Sequence, residues 1–459
     1  RRKNLDDFAS PFLTGVFDYV LSLGTAKGQR FSAVWEPDRG CVFSCSFCHW
    51  GGPVGVKLNT FGMDRLKAEL EWFAEKKIAF LYGASANFGM LFDRDYALAA
   101  HMAALKKATG FPSKLMVNTS KNATDRIFTL SKLLHDAGLS KGATLSMQSW
   151  DEQTLIAIGR NNIKLSTYEK LQGLFRDAGV PTYAELILGL PGESLDSFCE
   201  GIDKNLDAGQ HDGLFVYLCR VLPGTEMAEP AYRALHGIET VRLPIQANHG
   251  SLDAAQVGPT EYEETVVATK TMLHADWLEC QRIAWFVEVF FVLGIARLPI
   301  LALRHGDERV SVTRFVEWAL EAVAQHPKVF PLVSREVDRL TRFLATQELG
   351  RPEVDYTGLE AFPAIRWPAA EASWLALMSA SQEALQKEVA SLCVSFAHGV
   401  ATAHGEDLQQ SLLPIFEACA ANFKRLKHWT DGVSPSDLAE FSREIVWWGR
   451  RGQSMLRRE

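Results

Sequence analysis

The chain has 459 residues, 47% of them hydrophobic and 22% charged, which suits a soluble protein of two or three domains with ample core. A net charge of −7 without a Lys/Arg stripe argues against a nucleic-acid scaffold. The longest apolar run, 285–303, is interrupted by Glu288, Arg297 and Pro299, so it reads as buried helix and not as a membrane span.

No secretory signal is recognised ahead of the body of the protein. Cys199, Cys219, Cys280, Cys393 and Cys419 stand singly in apolar surroundings and read as small core residues. A reduced, cytoplasmic protein is expected, with no membrane and no nucleic-acid partner.

The first stretch, residues 1–29, contains LDDFASPFLTGVFD at 5–18 and is too short to form a domain. From Arg30 to about Leu222 strand-like and helical patterns alternate. Apolar, β-branched or aromatic runs predict strands at 31–35, 78–82, 114–118, 143–148, 183–188 and 213–218. Helical periodicity falls near 63–76, 96–109, 123–136, 166–178 and 195–208. Three of these helices end alike, at Asp136-Ala137-Gly138, Asp177-Ala178-Gly179 and Asp207-Ala208-Gly209. A glycine just past a helix can take the left-handed conformation that closes it. Strict alternation implies an α/β fold with a parallel sheet, and an open or partial barrel fits; a doubly wound sheet satisfies the same pattern.

In such folds the site lies at the carboxyl ends of the strands. The unusual residues follow that rule. The cysteine loop CVFSCSFCHWGG (41–52) follows the first strand, GASANFG (83–89) the second, TSKN (119–122) the third and LPGES (190–194) the fifth. The expected divisions are a linker-like segment 1–29, a core 30–225, a connecting extension 226–262 and a mostly α-helical domain 263–459. Within the last, Pro- and Gly-containing 350–372 reads as an internal linker. His249, His274 and His398 are either substrate groups or buried, satisfied histidines, and the second reading is favoured.

Cys41, Cys45 and Cys48 have C-x3-C-x2-C spacing. A structural zinc site usually takes four ligands, and His49, adjacent to Cys48, is a poor fourth. A catalytic zinc with three ligands rarely draws all of them from one short loop. A cubane [4Fe–4S] cluster held by three cysteines leaves one iron open to a substrate or cosubstrate.

Here the sequence resembles the radical S-adenosylmethionine (radical SAM) superfamily, whose signature is C-x3-C-x-aromatic-C after the first strand of a partial (β/α)6 barrel. Phe47 stands at the aromatic position, and Arg39-Gly40 matches the family's frequent lead-in. The resemblance implies a [4Fe–4S] cluster on Cys41, Cys45 and Cys48. Its open iron would chelate S-adenosylmethionine (SAM), and one-electron reduction would yield a 5′-deoxyadenosyl radical. It assigns SAM contacts to Gln148 and Arg160, which keep a family separation of twelve residues, with Arg160 pairing the methionyl carboxylate. Glu185, a carboxylate inside an apolar strand, is assigned the ribose hydroxyls. Gly83 and Asn87 stand in the strand-2 turn, which departs from the commoner G-G-E form. Asn118 and Ser120, after the third strand, are weaker candidates for cofactor contacts, and Ser146 is either a ribose contact or simply a polar strand residue. Ser166 and Glu169 suggest a capping box opening a helix, so 151–160 would form an extra short helix that carries Arg160 to the mouth.

ANFG followed by Arg94-Asp95 resembles the cobalamin-dependent branch, and 5–18 resembles the segment joining a cobalamin domain to the core. That segment would cap the open top of the barrel. No D-x-H-x-x-G motif occurs in the chain, and it begins at Arg1; a truncated cobalamin domain is the expected explanation, a lost domain the alternative. The expected function is reductive SAM cleavage serving cobalamin-dependent methylation, or a related C–H transformation, of a small molecule. A flavodoxin or ferredoxin would supply electrons. Two alternatives stay open. One is a cobalamin-independent radical SAM isomerase, oxidase or sulfur-insertion enzyme. The other is an iron–sulfur electron-transfer protein, which would need neither Arg160 nor Glu185.

Overall fold

The computed structural model describes residues 4–50, 57–120, 125–140, 142–210, 213–245, 259–306, 310–345, 356–359, 362–379 and 382–404. The chain forms two compact units. The first comprises Arg1–Leu186, Ala208–Gln210 and Val221–Leu235, the second Ile187–Asp207, His211–Arg220 and His236–Glu459.

The first unit is α/β, and its elements fall close to the expected ones. They are β1 (Ser32–Trp35), α1 (Met63–Glu75), β2 (Phe80–Phe88), α2 (Phe92–Thr109), β3 (Lys114–Thr119), α3 (Asp125–Asp136), β4 (Ala143–Thr144), α4 (Glu152–Ala157), α5 (Leu165–Asp177) and β5 (Thr182–Leu188), whose last two residues belong to the second unit. β1, β2 and β3 are parallel, with Ser32 opposite Phe80 and Phe80 opposite Lys114; β4 and β5 are also parallel, with Ala143 opposite Thr182. Between β3 and β4 the Thr119 hydroxyl donates to the Thr144 carbonyl at 2.7 Å.

The core follows from helical and strand periodicity. On α1, Leu66, Leu70, Phe73 and Ala74 recur on one face, and all are buried against Trp35 of β1 and Leu81 of β2. Each large apolar side chain removed from water contributes about 1.5–3 kcal/mol. Glu69 sits on the same face and is also buried; it accepts from Trp35 Nε1 at 3.1 Å and Arg65 Nε at 3.0 Å, so its charge is paired. Gly138, Gly179 and Gly209 all take positive φ, at 65°, 69° and 94°, as the repeated helix ending predicts.

Several expectations change. β2 does not stop at Tyr82 but runs through GASANF to Phe88, with a register shift against β3 after Gly83. Alternation along it puts Ser85 and Asn87 on one face and Ala84 and Ala86 on the other. The strand expected at 143–148 shortens to β4, followed by a lone parallel bridge from Gln148 to Leu186; Gln148 has φ 67°, which no regular ladder accommodates. The Ser166 capping box does not form. α5 begins one residue earlier with Lys164 at its N-cap, placing Ser166 inside the helix. The short helix expected within 151–160 is present as α4, capped by Asp151, whose carboxylate accepts from Thr154 N at 2.7 Å. The segment 5–18 does not lie across the strand ends in its described contacts. Asp6 accepts from Gly62 N–H at 3.0–3.1 Å, at the start of α1, and Phe12 packs edge-on against Phe73 near its end, 4.6 Å between centroids. The segment therefore runs along α1.

The second unit begins with α6 (Leu195–Asp207) and β6 (Leu214–Leu218). The connecting extension is more ordered than its composition suggests. Glu239–Pro244 pairs antiparallel with Tyr262–Ala268, so a strand spans the expected boundary at 262/263. Helices then dominate, from His274–Phe286 through Gln382–His404. The apolar run 285–303 is buried, as expected, but includes a π-helical turn, Val287–Val292, and breaks before Arg297–Gly306. No helix among the described residues is long and apolar enough to cross a membrane. The expected linker 350–372 contains an antiparallel hairpin, Tyr356–Leu359 with Phe362–Trp367. Residues 405–459, with Cys419, and the extension's 246–258, with His249, lie outside the described residues; His274 and His398, read as buried, are exposed.

Candidate functional site

At the carboxyl ends of β2, β3, β4 and β5 lies a cavity of about 200 Å³. Cys41, Phe47, Cys48, Asn118, Ser146, Gln148 and Glu185 line it, together with Trp50, Ala86, Thr119, Ser120, Thr144 and Leu145. Eight of the sequence-derived candidates, Ser120 among them, thus meet in one place. Cys45, Gly83, Asn87 and Arg160 are not in the lining.

The cysteine loop is tied down at several points. Ser46 N–H donates to the Ile158 carbonyl and the Ser46 carbonyl accepts from Met227 N–H, both at 2.9 Å, while its hydroxyl bonds the Tyr232 hydroxyl. His49 Nδ1 lies 3.2 Å from the Pro223 carbonyl oxygen, an engagement that leaves it poorly placed as a fourth ligand. Arg39 turns outward to pair with Glu36 at 2.6 Å. Asp38, three residues ahead of Cys41, is buried and accepts from Ser85 Oγ at 2.9 Å and Arg94 Nη2 at 2.7 Å. Arg94 Nε also donates to Asp95, whose other oxygen accepts from Gly89 N–H at 2.7 Å. Burial pushes the Asp38 and Asp95 carboxyls above their ordinary range, and the Arg94 charge opposes it. This network escaped the sequence reading. Asp38, Ser85 and Arg94 are far apart in sequence, and only the β1–β2 register brings them together.

On the opposite wall, Ser146 Oγ donates to Glu185 Oε2 at 2.5 Å, giving the strand carboxylate the partner that burial requires. Gln148 N–H donates to the Glu185 carbonyl at 2.9 Å, while its own Oε1 is buried without a hydrogen-bond partner. Arg160 is 4% exposed. Its Nε donates to Asn162 Oδ1 at 2.8 Å and its Nη2 to the Ser146 carbonyl at 2.5 Å; Nη1 has no hydrogen-bond partner. Burial pulls the guanidinium pKa down, and Cys45, Cys48 and Glu185 pull it back. Asn162, which the sequence did not single out, holds Arg160 and donates from Nδ2 to the Met147 and Ser149 carbonyls, both at 2.8 Å.

Gly83 has a packing reason of its own. A Cβ there would come within 2.6 Å of Val117 Cγ1. The remaining described cysteines behave as expected: Cys199, Cys219, Cys280 and Cys393 are buried and outside any disulfide, and burial pushes the Cys219 thiol up to about 12.

A cluster is tested by the donors present. Among the described residues no three His, Cys, Asp or Glu side chains converge on a point that would hold a single metal ion. A cubane makes a different demand, because each thiolate takes a different iron and the sulfurs stay apart. Three thiols outside any disulfide, on one clamped loop, meet it. Unmet buried atoms on Gln148, Arg160 and Asn87 around the loop fit a polar group arriving there.

A parallel α/β unit with such a loop at its strand ends is the arrangement that the radical SAM resemblance implies. By sequence the chain is similar to cobalamin-dependent radical SAM methyltransferases. It is 42% identical over 273 residues to 2-(S-pantetheinyl)-carbapenam-3-carboxylate methyltransferase of Streptantibioticus cattleyicolor, covering 59% of this chain and 39% of that one. It is 38% identical over 319 residues to the cobalamin-dependent radical SAM methyltransferase TokK of Streptomyces tokunonensis, covering 69% and 46%. The chain thus spans less than half the length of either relative. No protein-family model matches it. Among solved structures, TsrM from Kitasatospora setae aligns with a TM-score of 0.43 at 17% identity over 56% of this chain and 52% of that one, a level that carries no argument. OxsB aligns at 0.39 and 11%, over 87% and 60%.

Proposed function

We propose that this chain carries the SAM-cleaving core of a cobalamin-dependent radical SAM methyltransferase acting on a small molecule, built on a six-stranded partial barrel. The observation that carries the reading is the meeting of the three-cysteine loop with Ser146, Gln148 and Glu185 around one cavity. When bound, the [4Fe–4S] cluster and SAM supply one-electron cleavage to a 5′-deoxyadenosyl radical, and cobalamin supplies methyl transfer.

The chain's own residues bind and orient. Cys41, Cys45 and Cys48 hold the cluster. Arg160, charged and with one nitrogen unmet, neutralises the methionyl carboxylate from behind the cavity wall. Glu185, fixed by Ser146, accepts from the ribose hydroxyls. Gln148 offers a buried amide whose backbone is already in the unusual conformation the site requires. Asn118 and Phe47 close the cavity beside the nucleoside, and Trp50 helps exclude water. An electron donor of flavodoxin or ferredoxin type and a cytoplasmic setting belong to the same reading.

The test is anaerobic purification followed by reduction with SAM present. About four iron and four sulfide per chain are expected, as in a cubane cluster, with slow release of 5′-deoxyadenosine. Stoichiometric zinc without iron after reconstitution would sink the reading.

A further inference from the structure

Asn87 does not face the cavity, yet it touches the cysteine loop. On β2 the neighbouring Ala86 lines the cavity, whereas Ser85 and Asn87 project from the other face. These two side chains grip the start of the loop at two points. Ser85 Oγ donates to Asp38 Oδ1 at 2.9 Å, and Asn87 Nδ2 donates to Cys41 Sγ at 3.1 Å. The backbone N–H of Phe43 reaches the same sulfur at 3.4 Å. Asn87 is 3% exposed, and its Oδ1 has no hydrogen-bond partner. A buried amide with one end unmet is costly for packing alone. It is well matched to a charged sulfur, because a hydrogen bond to an ionised acceptor is stronger than one to a thiol.

We propose that Asn87 is a positioning residue for the cluster: its amide N–H holds the Cys41 thiolate in place and raises the reduction potential of the [4Fe–4S] cluster ligated there. This rests on the cluster reading above. Reduction by a low-potential one-electron donor adds a negative charge that the cluster shares with its thiolates. A donor on one of those sulfurs stabilises the reduced state more than the oxidised one, so the electron enters more readily.

The experiment uses the full chain, loaded anaerobically, with the midpoint potential read by electron paramagnetic resonance during a dye-mediated dithionite titration. Asn87→Leu removes the donor, and Asn87→Asp keeps the shape but places a carboxylate against the sulfur. Both are expected to shift the potential to more negative values, Asn87→Asp further. Ser85→Ala, which removes one of the two side-chain bonds to Asp38 but leaves the bond to sulfur, is expected to keep the parent potential. A loaded Asn87→Leu or Asn87→Asp protein with the parent potential overturns the proposal. If Asn87→Leu folds by circular dichroism but sheds its iron while Ser85→Ala keeps it, the holding role stands, since only the sulfur's own bond separates them. Loss of iron from both reduces Asn87 to general loop packing and overturns it. A parent protein without iron and sulfide fails at the earlier step and condemns the proposed function instead.

Discussion

The two ends of the parallel strands in the first unit carry cavities of opposite character. At the amino ends, Asp18, Arg30, Phe31, Lys76, Lys77 and Ser113 help line a space of about 900 Å³, against about 200 Å³ at the carboxyl ends. Size alone would choose the wrong one. The larger space is rimmed by charges that face water, such as the Lys76–Glu75 pair at 3.1 Å, and no atom of its lining is buried and unmet. Each end also has one non-glycine residue at positive φ, Lys77 at 55° and Gln148 at 67°. Lys77 needs no functional account. It sits just past α1, where Ile78 N–H reaches back to the Phe73 carbonyl, an ordinary helix ending. Gln148 stands just past β4, lines the cavity with Cys41 and Cys48, and carries a buried, unmet amide oxygen. Unsatisfied buried polarity and strain without a local excuse mark a site better than volume does.

The comparison predicts large effects at the carboxyl end and small ones at the other. The largest is loss of iron: Cys41→Ala, Cys45→Ala and Cys48→Ala should each abolish most of it, while Cys280→Ala keeps it. Cys45 is the sharpest of these tests, being outside the cavity lining, and retention of full iron by Cys45→Ala would break the three-ligand reading. Next, Arg160→Ala should weaken SAM binding by about 1.5–3 kcal/mol, the scale of a hydrogen bond to a charged group, with Glu185→Ala behaving similarly through the ribose. Equilibrium binding of SAM as tight as the parent's in both variants would show that the nucleoside is misplaced.

Gly83→Ala lies between the two regimes. Its Cβ would press on Val117. The cost should be about 1–3 kcal/mol of stability from overpacking, read from denaturant midpoints. If instead stability holds and SAM binding falls, Gly83 acts at the cofactor as the family resemblance implies. The smallest effect is expected at the amino end. Lys76→Ala breaks a solvent-facing pair and should change stability by less than about 1 kcal/mol, with iron content and SAM binding untouched. A loss of SAM cleavage in Lys76→Ala would overturn the contrast between the two ends.

Much of this architecture was legible from local pattern. Strand and helix positions in 30–225 followed from periodicity, and the D-A-G endings marked where helices close, because both depend on neighbours in sequence. The misread elements depended on distant partners. β2 looked finished at Tyr82, because Gly83 to Asn87 are poor strand formers; pairing with β3 and hydrogen bonds to the cysteine loop carry it on to Phe88. Ser166 and Glu169 matched a capping box, but α5 starts before them. In 350–372, Pro and Gly suggested a linker where an antiparallel hairpin forms.

The sequence by itself determined the chemistry: three cysteines at ligand spacing, a carboxylate in an apolar strand, and an arginine twelve residues from a glutamine. Those are properties of residue type and local spacing, and no fold is needed to see that they are expensive unless used. Only the tertiary structure decided which of them share a cavity and what stands behind them. It gave Glu185 its serine, held Arg160 with Asn162, and set Asn87 on the sulfur of Cys41 and Asp38 between Ser85 and Arg94. Those pairings join residues up to 56 positions apart. The longer-range ones depend on strand register, which places side chains on a shared face only once the neighbouring strand has been chosen.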